Sequence, residues 1–175
     1  MIPGTLIAAL TFPGVIVHEL AHQLFCRFWR VAIFDVRYFQ FGNPSGYVIH
    51  EHPATLKQQV WITVGPFFLN SILGALIAAP ASINVIQFGS GSFTDYFLVW
   101  LGVSIAMHAF PSTGDAHSLW TAIRSSSASP RMRAIAYPVV GIILLGALGS
   151  MVWLDLLYGI GVALAVPKVL VAFLA

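Results

Sequence analysis

Residues 14–29 read GVIVHELAHQLFCRFW and place two histidines and a glutamate inside an apolar stretch. On an α-helix, positions i and i+4 lie on one face, so His18 and His22 can bind one metal ion. Glu19 lies one position along, where its carboxylate can reach a water molecule on that ion without being a ligand. This HExxH spacing is typical of sites in which zinc activates water for hydrolysis.

The chain is far more apolar than a soluble domain. Of its 175 residues, 58% are hydrophobic and only 8% are charged, and the mean hydropathy is +0.87. Soluble domains carry about 25% charged residues. The composition excludes a soluble metalloprotease, and the net charge of +2 is too small to indicate a nucleic-acid partner. We therefore predict one domain, residues 1–175, that is an all-α membrane protein with about five transmembrane helices and a small β-hairpin after the first.

Five apolar runs are long enough to be considered as membrane segments. The predicted spans are residues 2–28, 60–79, 95–110, 134–154 and 156–174. Pro13 is expected to kink the first helix about one turn before His18. The first basic residue is Arg27, so the basic start of a signal peptide is missing and we expect the first segment to be retained.

Residues 31–50 differ in character from the apolar runs, because β-branched and aromatic residues dominate. Asn43-Pro44-Ser45-Gly46 has turn chemistry, so we predict a hairpin over residues 32–50, with strands near 32–41 and 46–50. An ordinary hairpin at the membrane surface and a substrate-binding element are equally compatible with this pattern. Residues 80–94 are uncharged and rich in glycine and serine, which predicts a loop.

The basic residues predict how the chain is oriented in the membrane. Seven of them fall in two predicted connections that lie on the same side of a five-span bundle: Arg27, Arg30, Arg37, Lys57, Arg124, Arg131 and Arg133. By the positive-inside rule that side is cytoplasmic. HELAH and Asp115 then lie at the same depth, near the cytoplasmic face. We expect an integral multi-pass protein of a prokaryotic cell membrane, in contact with the lipid bilayer.

A catalytic zinc site usually has three protein ligands and a water molecule, so a third ligand is needed. Asp115 is the first candidate, because it follows the helix-breaking sequence Pro111–Gly114 and a buried carboxylate needs a partner. Asp115 could instead cap a helix that starts at Ala116. His108 and His117 compete as ligands, and His108 could also be an oxyanion stabiliser, a group that supports a ligand, or a histidine bonded to a backbone carbonyl. Asn70 is a candidate oxyanion or supporting group, or a contact between helices.

Taken in order, these motifs resemble the site-2 protease family of intramembrane metalloproteases. The resemblance covers roughly residues 10 to 120. It is carried by HELAH, by the 31–50 stretch with Gly42 and Gly46, by Gly65-Pro66 through Asn70, and by residues 108–116, which read HAFPSTGDA. The chain departs from the family pattern at His108, where the family has asparagine, and at Ala116, where it has glycine. These departures leave the third ligand and the oxyanion group open.

The resemblance implies a zinc-dependent intramembrane endopeptidase that cleaves transmembrane or membrane-proximal segments of membrane-protein substrates. It implies that His18, His22 and Asp115 hold Zn²⁺ and that Glu19 is the general base. The alternative is a non-proteolytic membrane metal-binding or scaffold protein derived from such a protease. Glu19 argues against it, because metal storage does not require a base. The sequence does not indicate the substrate, a regulatory partner or the oligomeric state.

Overall fold

The computed structural model describes residues 4–125 and 128–174, which form eight α-helices and one two-stranded antiparallel sheet. The helices are α1 (Gly4–Leu10), α2 (Phe12–Phe28), α3 (Leu56–Gln87), α4 (Phe93–Met107), α5 (Thr113–Ser125), α6 (Pro130–Ser150), α7 (Leu154–Ile160) and α8 (Val166–Leu174). The strands are β1 (Ile33–Arg37) and β2 (Tyr47–His50), and a π-helical turn (Gly161–Ala165) joins α7 to α8. The predicted helical fold with a small hairpin after the first apolar segment is confirmed.

Two described helices are long and apolar enough to cross a membrane alone, Leu56–Val85 within α3 and all of α6. A third span is present if α1 and α2, which are bent by 86° relative to each other, count as one. This is fewer than the five spans that hydropathy predicts. Helix α4 has 15 residues, whereas a perpendicular span needs about 20. Residues 154–174 are divided into α7, the π-helical turn and α8.

Helix α3 runs through most of a segment that the sequence predicts to be a loop. A capping box between Thr55 and Gln58 starts it, and it continues through Pro66 and Pro80 to Gln87. The predicted loop at 80–94 is therefore wrong, and only residues 88–92 connect α3 to α4. The physical reason is that Pro is tolerated within a packed apolar helix, where neighbouring helices can satisfy the freed backbone groups.

The bend between α1 and α2 lies at Thr11 and not at Pro13. Pro13 occupies the first turn of α2, where its missing N–H costs no helical hydrogen bond. Side chains of α4, four residues apart, satisfy the carbonyls at the break. Trp100 Nε1 donates to Leu10 O at 3.2 Å, and Ser104 Oγ donates to Thr11 O at 2.9 Å. These hydrogen bonds from α4 thereby fix where α2 begins and so position HELAH.

The hairpin lies against α2 and is attached to it by few contacts. Strand β1 ends at Arg37, earlier than predicted, and pairs with β2. Beyond it, the Tyr38 hydroxyl donates to Gln23 Oε1 of α2 at 2.9 Å. The rings of Phe39 and Phe12 pack with their centroids 6.0 Å apart. The turn after β1 is thus brought to the face of α2 that carries Glu19.

One buried cluster holds α5 against α3 and α6. Its members are Leu56 and Val60 of α3, Ala116, Leu119 and Ile123 of α5, and Ala136, Val140 and Ile143 of α6. The α5 residues are spaced at three and four positions, so one face of this helix is buried. This packing sets the rotation of α5 and therefore the direction in which Asp115 points.

Helices α3 and α4 approach closely enough for their backbones to touch. A Cβ atom added at Gly102 would lie 2.6 Å from the carbonyl oxygen of Gly74. One added at Gly74 would lie 2.7 Å from the carbonyl oxygen of Gly102. Small residues allow such approaches between apolar helices, where close packing replaces the hydrophobic effect as the source of association.

We expect Gly102→Ala to lower the free energy of unfolding by about 1–3 kcal/mol, because the added methyl group overpacks the contact. Gly141→Ala is the matched control, since nothing lies within 4 Å of its added Cβ atom. Thermal unfolding of both variants in the same detergent measures the difference. Equal melting temperatures would show that the two backbones are not in contact.

Candidate metal centre

His18, His22 and Asp115 form a cluster whose potential ligand atoms all lie within 4.8 Å of one another. The two Nε2 atoms are 3.1 Å apart, and His22 Nε2 is 3.4 Å from Asp115 Oδ1. Atoms that share one tetrahedral ion at about 2.0–2.1 Å lie roughly 3.4 Å from each other. The structure therefore brings together the three residues that sequence reasoning selected, at distances that suit one metal ion.

Backbone carbonyls orient both imidazoles. His18 Nδ1–H donates to His108 O at 2.7 Å, and His22 Nδ1–H donates to Ile62 O at 3.0 Å. A carbonyl can only accept, so each Nδ1 carries a proton, and each ring in its neutral form presents a lone pair at Nε2. In that form two lone pairs and a carboxylate oxygen face one another, an arrangement that a cation between them would stabilise. The donor set of two imidazoles and one carboxylate suits a divalent metal such as zinc.

The carbonyl of Ile62 is available to His22 for a reason that the sequence contains. In a regular helix it would accept from the N–H of residue 66, but Pro66 has no N–H. The proline therefore leaves a buried carbonyl within α3 without its helical donor, and His22 Nδ1–H occupies it. Such supporting hydrogen bonds fix the ring of a metal-binding histidine and raise its basicity.

Asp115 uses its two carboxylate oxygens differently. Oδ2 accepts from the backbone N–H and the hydroxyl of Ser112, both at 2.7 Å, while Asp115 N–H donates to Ser112 Oγ at 3.2 Å. This capping box starts α5, so the cap is Ser112 and Asp115 is its partner. Oδ1 remains directed at His22. Burial alone would raise the pKa of Asp115, but a positive charge on the neighbouring imidazole of His22 and the Ser112 donors hold that pKa well below its usual range. The carboxylate is therefore ionised and helix capping does not compete with metal binding.

Glu19 is buried, with 7% of its surface exposed, yet no hydrogen bond to its carboxylate is found among the described residues. It lines two cavities of about 390 and 210 Å³. The larger also contains His22 and Asp115, and the smaller contains His18. A cavity of about 790 Å³ lies elsewhere, between the start of α3 and residues of α5 and α6, and no residue of the cluster lines it. The carboxylate is thus free to act on a molecule in either adjoining cavity.

The turn at residues 43–46 separates these two cavities, and Asn43, Pro44 and Gly46 line both. Gly46 lies directly against the glutamate. A Cβ atom added there would be 2.8 Å from Glu19 Cγ and 3.0 Å from its Oε1. Sequence reasoning assigned Gly46 to a turn but missed this contact, because a glycine carries no signal for what its backbone touches.

His108 supports the cluster through its backbone and is not a member of it. The Thr11 hydroxyl donates to Ile7 O at 2.7 Å, so His108 Nε2–H must donate to Thr11 Oγ1 at 2.8 Å. Its carbonyl is the acceptor for His18. His117 is exposed on α5 and lies outside the cluster.

Asn70 is fully buried and ties three helices together beside His18. Its Nδ2 lies 3.4, 3.2 and 3.1 Å from the carbonyl oxygens of Gly14, Ile105 and His108. The two amide protons are therefore used by backbone carbonyls. Of the roles that the sequence left open, this geometry favours support of the ligand His18 over stabilisation of an oxyanion.

We expect His18→Ala, His22→Ala and Asp115→Ala each to lower bound metal far below about one ion per chain, because two ligands rarely hold a catalytic ion. His117→Ala is the control and should retain the metal. Elemental analysis of the purified proteins gives the stoichiometry. Full metal content in Asp115→Ala, together with loss in His108→Ala, would overturn the ligand assignment.

We also expect Pro66→Ala to weaken metal affinity about 10–100-fold, the usual effect of losing a supporting hydrogen bond. The new N–H at position 66 would compete with His22 for Ile62 O. Pro80→Ala is the matched control, since it makes the same substitution in the same helix at a position remote from the cluster. Competition with a chelator measures affinity, and equal values for the two variants would contradict the role of Pro66.

Comparison with protein-family models, with curated proteins and with solved structures finds no match for this chain. The candidate centre is accordingly defined by its own geometry. It consists of two oriented imidazoles, one ionised carboxylate and one unpartnered glutamate inside a mostly apolar helical bundle.

Proposed function

We propose that the chain is a zinc-dependent intramembrane endopeptidase that cleaves transmembrane or membrane-proximal segments of membrane-protein substrates. The observation that carries the proposal is the cluster of buried His18 and His22 with half-buried Asp115, beside the carboxylate of Glu19, which has no hydrogen-bond partner among the described residues. A buried carboxylate without a partner is costly, so its presence indicates a functional role. The order of motifs shared with the site-2 protease family supports the same reaction.

A multi-pass arrangement in a prokaryotic cell membrane is part of the proposal. Five membrane segments would be α1 with α2, α3, α4, α6, and α7 with α8. Many large apolar side chains face outward, including Leu76, Leu145 and Phe173, each more than 60% exposed. Soluble monomers rarely expose large contiguous apolar patches. The basic residues between the segments favour a cytoplasmic location for the cluster.

In the proposed chemistry, the zinc ion and the residues of the chain have separate roles. Zn²⁺ held by His18, His22 and Asp115 would polarise the scissile carbonyl and lower the pKa of a water molecule. Glu19 accepts the proton of the attacking water and later donates it to the leaving amine. The carbonyls of His108 and Ile62 fix the tautomer and the orientation of both imidazoles, so that each Nε2 faces the ion. Burial in the bundle excludes bulk water and strengthens these electrostatic effects.

A transmembrane helix hides its carbonyls in its own hydrogen bonds, so a substrate must be unwound locally before it is cleaved. Strand β2 is the candidate binding position for the unwound segment. Its residues Tyr47, Val48 and His50 line the larger cavity next to His22 and Asp115. An extended chain can add to a strand edge through main-chain hydrogen bonds.

We expect Glu19→Gln to lower the cleavage rate by about 100-fold or more, the usual contribution of general acid–base catalysis, while bound zinc is retained. The measurement is cleavage of a membrane-embedded peptide by purified protein in proteoliposomes. Wild-type cleavage by the variant would rule out the proposed base. Stoichiometric zinc in the natural protein without cleavage of any membrane peptide would favour the metal-binding scaffold instead.

A further inference from the structure

Gln59 and Thr63 form a buried polar pair on the wall of the larger cavity. They lie one helical turn apart on α3, both line the cavity that contains His22 and Asp115, and they are 3% and 1% exposed. Their setting is an apolar helix that is long enough to cross a membrane. Polar side chains in such a setting are costly unless they are hydrogen-bonded.

The hydrogen bonds of this pair are incomplete. Gln59 Nε2–H donates to Thr63 Oγ1 at 3.2 Å, and no other bond to the Gln59 side chain is found among the described residues. A carboxamide can donate two hydrogen bonds and accept two. Gln59 therefore keeps one N–H and the whole of Oε1 for a molecule in the cavity.

A peptide main chain matches these free groups. It offers an N–H and a C=O side by side, which can pair with the oxygen and the remaining N–H of a carboxamide. Strand β2 also lines the cavity, through Tyr47, Val48 and His50. Gln59 also lies three residues before Ile62, whose carbonyl holds His22. A chain bound here would lie between a strand edge and Gln59, next to the metal cluster.

We propose that Gln59, held in place by Thr63, hydrogen-bonds the main chain of an extended peptide substrate on the Asp115 side of the cluster. The inference rests on the proposed endopeptidase function and deepens it. Gln59 is a substrate-binding residue in this role and takes no part in proton transfer. Thr63 is a positioning residue, because it acts through Gln59.

Gln59→Leu tests the proposal, because leucine is similar in size and lacks the carboxamide. We expect KM for a membrane-embedded peptide to rise about tenfold with kcat within about threefold of wild type, as for loss of uniform binding. Bound zinc should be unchanged. The melting temperature should stay the same or rise, because an incompletely bonded buried polar group is being replaced by an apolar one. A structural role for Gln59 predicts the opposite, a lower melting temperature with KM unchanged.

Gln58→Leu is the matched control. Gln58 is the neighbouring glutamine, is half-buried, and completes the capping box with Thr55. Its loss should lower stability and leave KM unaltered. Thr63→Val should raise KM less than Gln59→Leu does, because it removes the hydroxyl that positions Gln59 but leaves the carboxamide in place.

Equilibrium binding of the same peptide to Glu19→Gln protein, with and without Gln59→Leu, separates this proposal from the proposed function. Weaker binding with Gln59→Leu supports the role of Gln59 whether or not the natural protein cleaves the peptide. Equal binding and equal KM overturn it, even if the protein is a protease. Absence of both cleavage and binding in the natural sequence overturns the proposed function and, with it, the role of Gln59.

Discussion

Three electron-rich atoms that face one another in an apolar interior repel unless a cation lies between them. In this protein they are His18 Nε2, His22 Nε2 and Asp115 Oδ1, and the surrounding fold keeps them in place. Each is held through its other polar atom, the imidazoles by carbonyls of His108 and Ile62 and the carboxylate by Ser112. A cation bound between the three would offset the cost of keeping them together.

The groups that orient the two imidazoles and the carboxylate lie where helical hydrogen bonding is interrupted. The carbonyl of His108 lies just beyond the end of α4, and that of Ile62 lacks its helical donor because of Pro66. Ser112 caps α5 immediately after the Pro111 break. Breaks in the helices therefore do more than fit the chain into a bundle. They supply the donors and acceptors that a site in an apolar environment cannot take from water.

Local sequence patterns predicted the parts of the centre that lie on one element. HELAH defines a helical face, and the Ser112-x-x-Asp115 spacing is itself the signature of a capping box. The meeting of Asp115 with His22 followed from charge-based topology and family resemblance. The 86° bend at Thr11 and the contact of Gly46 with Glu19 depend on packing between distant elements. Hydropathy also predicted more spans than the described residues have long, unbroken apolar helices, because it registers apolar composition and not the length or continuity of a helix.

The contact between Gly46 and Glu19 has a kinetic consequence. The cavities on either side could hold the two halves of a polypeptide, and the turn at residues 43–46 lies between them, against the glutamate. In the proposed protease, a chain that occupied both cavities at once would have to displace this turn from α2. The attachments to be broken include one hydrogen bond from Tyr38 and one ring contact from Phe39. Collective motions of such elements take microseconds to milliseconds, so in the proposed protease the frequency of hairpin opening would set an upper limit on turnover.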